Sequence, residues 1–185
     1  MIVATRLRRG SANSARAAAR LVADALATSR ACGATGLLVV RADSAFYGRD
    51  VIAATSRAGA RFSITARQDV AVKQAIAAIS EDAWTTIHYP NAVFDEQPRE
   101  WVSDAEVAET EFTAFASRGR KHAVTARLIV RRVRDQNPAH VLGNAQGELF
   151  PAWRHHAVFA DSPLTLLQAE PITAATPSSN KSTPT

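Results

Sequence analysis

Apolar and alanine positions recur at helical spacing over residues 14–30, with Leu21, Val22, Ala25 and Leu26 on one face and Arg16, Arg20 and Arg30 off it. Ser11 and Ser14 are both suited to cap that helix, and Gly33 is suited to end it. Leu37-Leu38-Val39-Val40 is a continuous apolar run between Gly36 and Arg41. It predicts a short strand buried on both faces, with Asp43 at its C-terminal end. Residues 49–58 predict a second helix, apolar at Val51, Ile52 and Ala54 and stopped by Gly59. Arg61-Phe62-Ser63-Ile64-Thr65-Ala66 alternates and predicts a second strand. A helix between two strands makes a β-α-β unit, so the strands are expected to be parallel. Residues 70–79 predict a third helix.

The pattern changes after Ser80. Residues 84–89, 109–115, 123–133 and 154–160 are rich in strand formers. Turn-forming stretches separate them, at Asp95-Glu96-Gln97-Pro98, Ser117-Arg118-Gly119-Arg120 and Asn137-Pro138. This predicts an antiparallel meander. The expected organisation is therefore an α/β segment over residues 1–80, a β-rich subdomain over 81–170 and a disordered Pro/Ser/Thr tail over 171–185.

Composition narrows the function classes. With 185 residues, 46% of them hydrophobic and 21% charged, the chain is neither wholly disordered nor too small for a core. Its one cysteine, Cys32, excludes an internal disulfide framework and a cysteine-built zinc site. No apolar run is long enough to span a membrane, and the N-terminus lacks the apolar core of a signal peptide. The expected location is the cytoplasm. The formal charge is +5, carried by 19 Arg and three Lys, and there are 38 Ala. The Arg and Ala excess fits the codon bias of a GC-rich bacterial genome. A charge of +5 permits a phosphate-backbone partner without requiring one.

The chemistry is best placed at Arg41-Ala42-Asp43-Ser44-Ala45-Phe46-Tyr47. An acid at the C-terminal end of a central parallel strand sits where open α/β sheets put their sites. A carboxylate there suits Mg²⁺ or Mn²⁺, and two such ions can drive phosphodiester cleavage. One Asp does not hold a metal pair, and Asp43 could equally cap a turn or the next helix. Other features read as structural first. His155 and His156 are strand neighbours facing opposite ways. Arg118, Arg120, Lys121 and His122 form a basic turn, either a solvated tip or a phosphate contact. Arg127, Arg131, Arg132 and Arg134 border a strand as a phosphate ridge or a solvated edge, with Arg132 and Arg134 on one face. Trp84, Trp101 and Trp153 are expected to anchor the meander core, and Cys32 to be inert.

The stretch Leu38-Val39-Val40-Arg41-Ala42-Asp43-Ser44-Ala45-Phe46-Tyr47 resembles the second-aspartate block of DDE transposases of the IS1380 family, within the IS4-like group. The resemblance extends in order over roughly residues 5–170. It takes in Arg6-Leu7-Arg8-Arg9-Gly10-Ser11-Ala12-Asn13-Ser14, Ala60-Arg61-Phe62-Ser63-Ile64-Thr65-Ala66-Arg67 and Tyr89-Pro90-Asn91-Ala92. It also takes in Trp101-Val102-Ser103-Asp104-Ala105-Glu106-Val107-Ala108-Glu109 and His156-Ala157-Val158-Phe159-Ala160-Asp161-Ser162. The resemblance implies an RNase H-like core, here partial, followed by a β-rich insertion. It implies Asp43 as catalytic acid and ligand of Mg²⁺ or Mn²⁺, with Arg41 and Ser44 supporting it. Arg6, Arg8, Arg9, Arg118, Arg120 and Lys121 are the expected DNA contacts. The implied partners are transposon-end DNA at the nucleoid and a second copy or a full-length transposase, with no membrane.

The departures matter as much. The family has three metal-binding acids, and the first Asp and the Glu have no matching motif here. Glu148, Asp161 and Glu170 have none behind them. The chain is thus expected to be an internal transposase piece with one acid of three, inactive alone and unable to hold the metal stably. Without the neighbouring core strand, the run at residues 37–40 is expected to be an exposed apolar edge that promotes association. Two other readings stay open: a non-catalytic DNA-binding or transposase-interacting regulator, and an unrelated small α/β hydrolase using Asp43.

Overall fold

The computed structural model describes residues 4–5, 17–87, 94–95, 100–101, 105–134, 153–163 and 166. The chain is mixed α/β and divides into two compact units, Met1–Thr65 with Ala160–Thr185, and Ala66–Phe159. The expected caps Ser11 and Ser14 and the tail 171–185 lie outside the described residues.

In the first unit, helix α1 (Ala18–Ala31) packs on helix α2 (Arg49–Arg57). α1 buries Ala18 and Leu26, and α2 buries Val51, Ile52, Ala54 and Thr55. Gly33 ends α1 as expected: its φ of +91° suits glycine, and its N–H reaches the Arg30 carbonyl at 3.0 Å. Arg30 then folds over that end, donating to the carbonyls of Ala34 (2.7 Å) and Gly36 (2.9 Å). A cation there also opposes the negative end of the helix dipole. Gly59, φ +66°, stops α2 in the same way.

Strands β1 (Val39–Ala42) and β2 (Arg61–Thr65) flank α2 and pair in parallel, Val39 opposite Arg61 and Ala42 opposite Ile64. The β-α-β expectation holds in direction, with three corrections. β1 starts two residues later than the apolar run, and it is not buried on both faces. Among the described residues it is a terminal strand, hydrogen-bonded to β2; Val39 and Val40 are half-buried and Leu37 is 57% exposed. The alternation expected of β2 is also absent: Phe62, Ser63 and Ile64 are all buried.

In the second unit, helix α3 (Val70–Ala77) starts at Asp69, whose carboxylate accepts the Val72 N–H at 3.0 Å. β3 (Thr85–Ile87), β6 (Ala105–Ala114), β7 (Val124–Arg134) and β8 (Trp153–Ala160) lie in the order β8-β7-β6-β3. β4 (Phe94–Asp95) and β5 (Glu100–Trp101) form a separate antiparallel pair. β6 is antiparallel to both β3 and β7, so the expected meander is present. Val107, Ala108, Leu128, Val130 and Phe159 are fully buried, and Phe112 meets Phe159 edge-on at 6.0 Å. The β6–β7 connection is a pair of 3-10 turns, Ala116–Arg118 and Arg120–His122, hinged at Gly119 with φ +100°.

Candidate functional site

Asp43 follows β1 at the C-terminal end of the parallel pair, where the sequence placed it. There it caps a 3-10 turn, Ser44–Phe46. Its Oδ1 accepts the Ala45 N–H at 2.9 Å, and its own carbonyl accepts the Phe46 N–H at 3.1 Å. The side chain is exposed, as are Arg41 and Ser44 beside it in sequence. The capping role weighed for Asp43 is therefore the geometry it adopts, through an Asx-type contact with its own backbone.

A second acid in the same unit, Asp161, is committed elsewhere. Its Oδ1 accepts the Phe62 N–H at 2.7 Å, its Oδ2 meets Arg61 at 3.4 Å, and its N–H reaches the Phe62 carbonyl. These contacts lie at the start of β2, whereas the register, continued one residue past the Ala42–Ile64 pair, puts Asp43 level with Thr65 at its end. Three residues of strand separate the two levels, about 10 Å at the usual rise. Two carboxylates that far apart do not share one ion with metal–oxygen bonds of about 2.1 Å. Among the described residues no three of His, Cys, Asp or Glu come together to hold a metal. Among the described residues Asp43, with one oxygen already on its backbone, has no partner acids with which to hold Mg²⁺ or Mn²⁺. Glu148 and Glu170 lie outside the described residues.

The expected DNA contacts are only partly visible. Arg120 and Lys121 are exposed on the β6–β7 connection. Arg118 belongs to the same connection, with its side chain outside the described residues, as are Arg6, Arg8 and Arg9 altogether. The basic strand β7 is less available than its sequence implies. Arg127 pairs with Glu109 across the β6–β7 ladder, and Arg132 is 6% exposed. Arg132 is thus neither a phosphate ridge nor a solvated edge. Cys32 is exposed at the end of α1.

Arg132 is the centre of the most organised polar cluster in the second unit. Its guanidinium carbon lies 4.2 Å from the Trp84 ring centroid and 4.4 Å from that of Trp153. Nε donates to Glu106, its cross-strand neighbour on β6. Nη1 and Nη2 donate to the two oxygens of Glu81, at 3.0 and 2.7 Å. Burial works against the Arg132 charge, and the two glutamates outweigh it, so the group sits above its ordinary value. Arg132 in turn holds the Glu81 carboxyl below the usual carboxylate range. His155 is tilted 51° to Trp84 at 6.1 Å; burial, then the Arg132 charge, lowers its pKa. A cleft of about 390 Å³ opens beside the cluster, lined by Lys73, Gln68 and His155 as well as by the Arg132 group.

Sequence reasoning placed the Arg132 group wrongly, although a signal existed. Leu128, Val130 and Arg132 recur at the strand period of two, so Arg132 shares the face of two fully buried side chains. A cation at the end of such a run must find partners in the core. The His pair behaves as expected, with His155 half-buried and His156 exposed on alternate sides of β8. No helix among the described residues is long and apolar enough to cross a membrane. No family model matches the chain. No curated protein matches it either.

Proposed function

We propose that the chain derives from a DDE transposase and acts, as it stands, as a DNA-binding piece that does not cleave. The observation that carries this reading is the position of Asp43. It ends the first strand of a parallel β-α-β unit, the place the resemblance gives to the second acid of an RNase H-like core. Asp43 is the one acid of the three with a matching motif in residues 1–185, and its carboxylate is held on the Ala45 N–H. A two-ion phosphodiester reaction needs several convergent carboxylates, so the proposed piece lacks the cleaving function.

DNA contact falls to the basic segments. Arg120 and Lys121 project from the 3-10 turns between β6 and β7, and Arg6, Arg8 and Arg9 cluster in sequence. Such side chains bind phosphates and set register without reading bases. The partner chemistry is thus a duplex backbone, with a second copy or a complete transposase as the protein partner.

The test is incubation of the purified chain with supercoiled plasmid in Mg²⁺ or Mn²⁺, followed by gel analysis of both mobility and topology. The expected result is retarded plasmid that stays supercoiled. Nicking that disappears in Asp43→Asn would overturn the non-cleaving part of the proposal. Unretarded plasmid at low salt would overturn the DNA-binding part.

A further inference from the structure

We propose that the guanidinium of Arg132 is a seat for a phosphate group, closed in this structure by Glu81. Trp84 and Trp153 both lie against the cation, at 4.2 and 4.4 Å, and Glu106 holds Nε. What remains is the Nη1–Nη2 edge, a planar fork that matches two oxygens of a carboxylate or phosphate. Glu81 fills that edge with both of its oxygens. Yet its side chain is 80% exposed, and it comes from a 3-10 turn of three residues, Glu81–Ala83. A rigid, buried fork is therefore closed by a carboxylate that water already surrounds.

The walls of the cleft favour a group richer in oxygens than a carboxylate. Lys73 brings a second cation. Trp84 carries a buried indole N–H with no acceptor among the described residues. Such a donor is costly to leave unpaired. A carboxylate spends both oxygens on the fork, whereas a phosphate keeps two more for Lys73 or the indole. A phosphate dianion also carries twice the charge of Glu81. The volume of about 390 Å³ accommodates it. All of these residues belong to the unit Ala66–Phe159, and the seat is independent of the transposase reading.

Glu81→Gln separates this role from a purely structural ion pair, because the position is exposed and the amide keeps the shape. Inorganic phosphate replaces chloride at constant ionic strength while tryptophan fluorescence of the full chain is followed, with far-UV circular dichroism confirming the fold. If Glu81 closes the seat in about nine molecules of ten, Glu81→Gln lowers the half-saturating phosphate about tenfold. Adding Arg132→Lys to that variant abolishes the gain. A parallel titration with a single-stranded oligonucleotide identifies the source. A Glu81-dependent gain with inorganic phosphate assigns the seat to a free phosphate, and a gain confined to the oligonucleotide assigns it to a backbone phosphate. Equal behaviour of the wild type and Glu81→Gln in both titrations overturns the proposal. So does a gain that survives Arg132→Lys in a folded protein.

Discussion

Arg132 lies with its guanidinium carbon 4.2 Å above the ring of Trp84, so a full positive charge is buried against an aromatic face. The contact compensates part of the desolvation that burial imposes on a cation. The Trp153 ring lies 4.4 Å from the same carbon, and Glu106 and Glu81 supply the counter-charge. One side chain thereby ties β7 to β6, to β8 and to the turn after α3.

Removing that side chain strands Glu106 and leaves both indoles facing a void. Arg132→Ala is expected to lower the unfolding free energy by about 3 kcal/mol, the low end for breaking a buried pair. Arg132→Lys should recover part of it, since Lys keeps the charge and loses the fork. Urea unfolding of the three proteins measures both differences. A loss below about 0.5 kcal/mol for Arg132→Ala, the range of an ordinary surface change, would contradict the role given to the cluster.

His155 and His156 both have pKa values lowered from 6.5, chiefly by partial desolvation of the rings, with Arg132 next for His155 and Arg131 and Arg154 next for His156. The unfolded chain therefore binds protons that the folded chain resists. Stability from this source is complete above about pH 6.5 and is lost as pH falls through the lowered folded values. The melting temperature should hold steady from about pH 8 to 7 and drop by about pH 5.5, before most carboxylates titrate. His155→Gln should shrink the drop. A melting temperature that rises on acidification would show the sign to be wrong.

Asp43 acts on its own turn in this structure, so its substitutions should read as cap changes. Asn caps as well as Asp, and Asp43→Asn should leave stability within about 0.5 kcal/mol. Asp43→Ala should cost about 1 kcal/mol. Thermal melts of the pair check this. Stabilisation of the wild type by Mg²⁺, absent in Asp43→Asn, would instead show that the carboxylate binds metal.

Among the described residues β1 is the last strand of its sheet, next to Leu37, which is 57% exposed. Such an edge invites pairing with another chain. Sedimentation velocity should show association that grows with concentration, and Leu37→Lys should weaken it. A concentration-independent monomer would contradict the expectation.

The local elements were legible because their signals are local. Gly33 and Gly59 end helices in left-handed backbone, and parallel β1 and β2 follow from the helix between them. The burial of β1 was not legible from the run itself, and the exposed edge was expected only through the resemblance. Leu37-Leu38-Val39-Val40 reads as a central strand, but burial depends on what lies beside it, and no residue in the run encodes its neighbours. The Arg132 cluster failed for a related reason. Its partners come from residues 81, 84, 106 and 153, and only the fold brings them together. At Asp43 the sequence placed the residue correctly and left its role divided between ligand and cap. The 2.9 Å bond to Ala45 identifies the cap.

The DNA-binding claim is tested most directly by fluorescence anisotropy of a labelled duplex across salt concentrations from about 50 to 200 mM. If Arg6, Arg8, Arg9, Arg118, Arg120 and Lys121 each neutralise one phosphate, the slope of log K against log salt approaches about −5. The account predicts binding at the low end with a slope steeper than about −2. Binding that ignores salt, or no binding at about 50 mM, would contradict it.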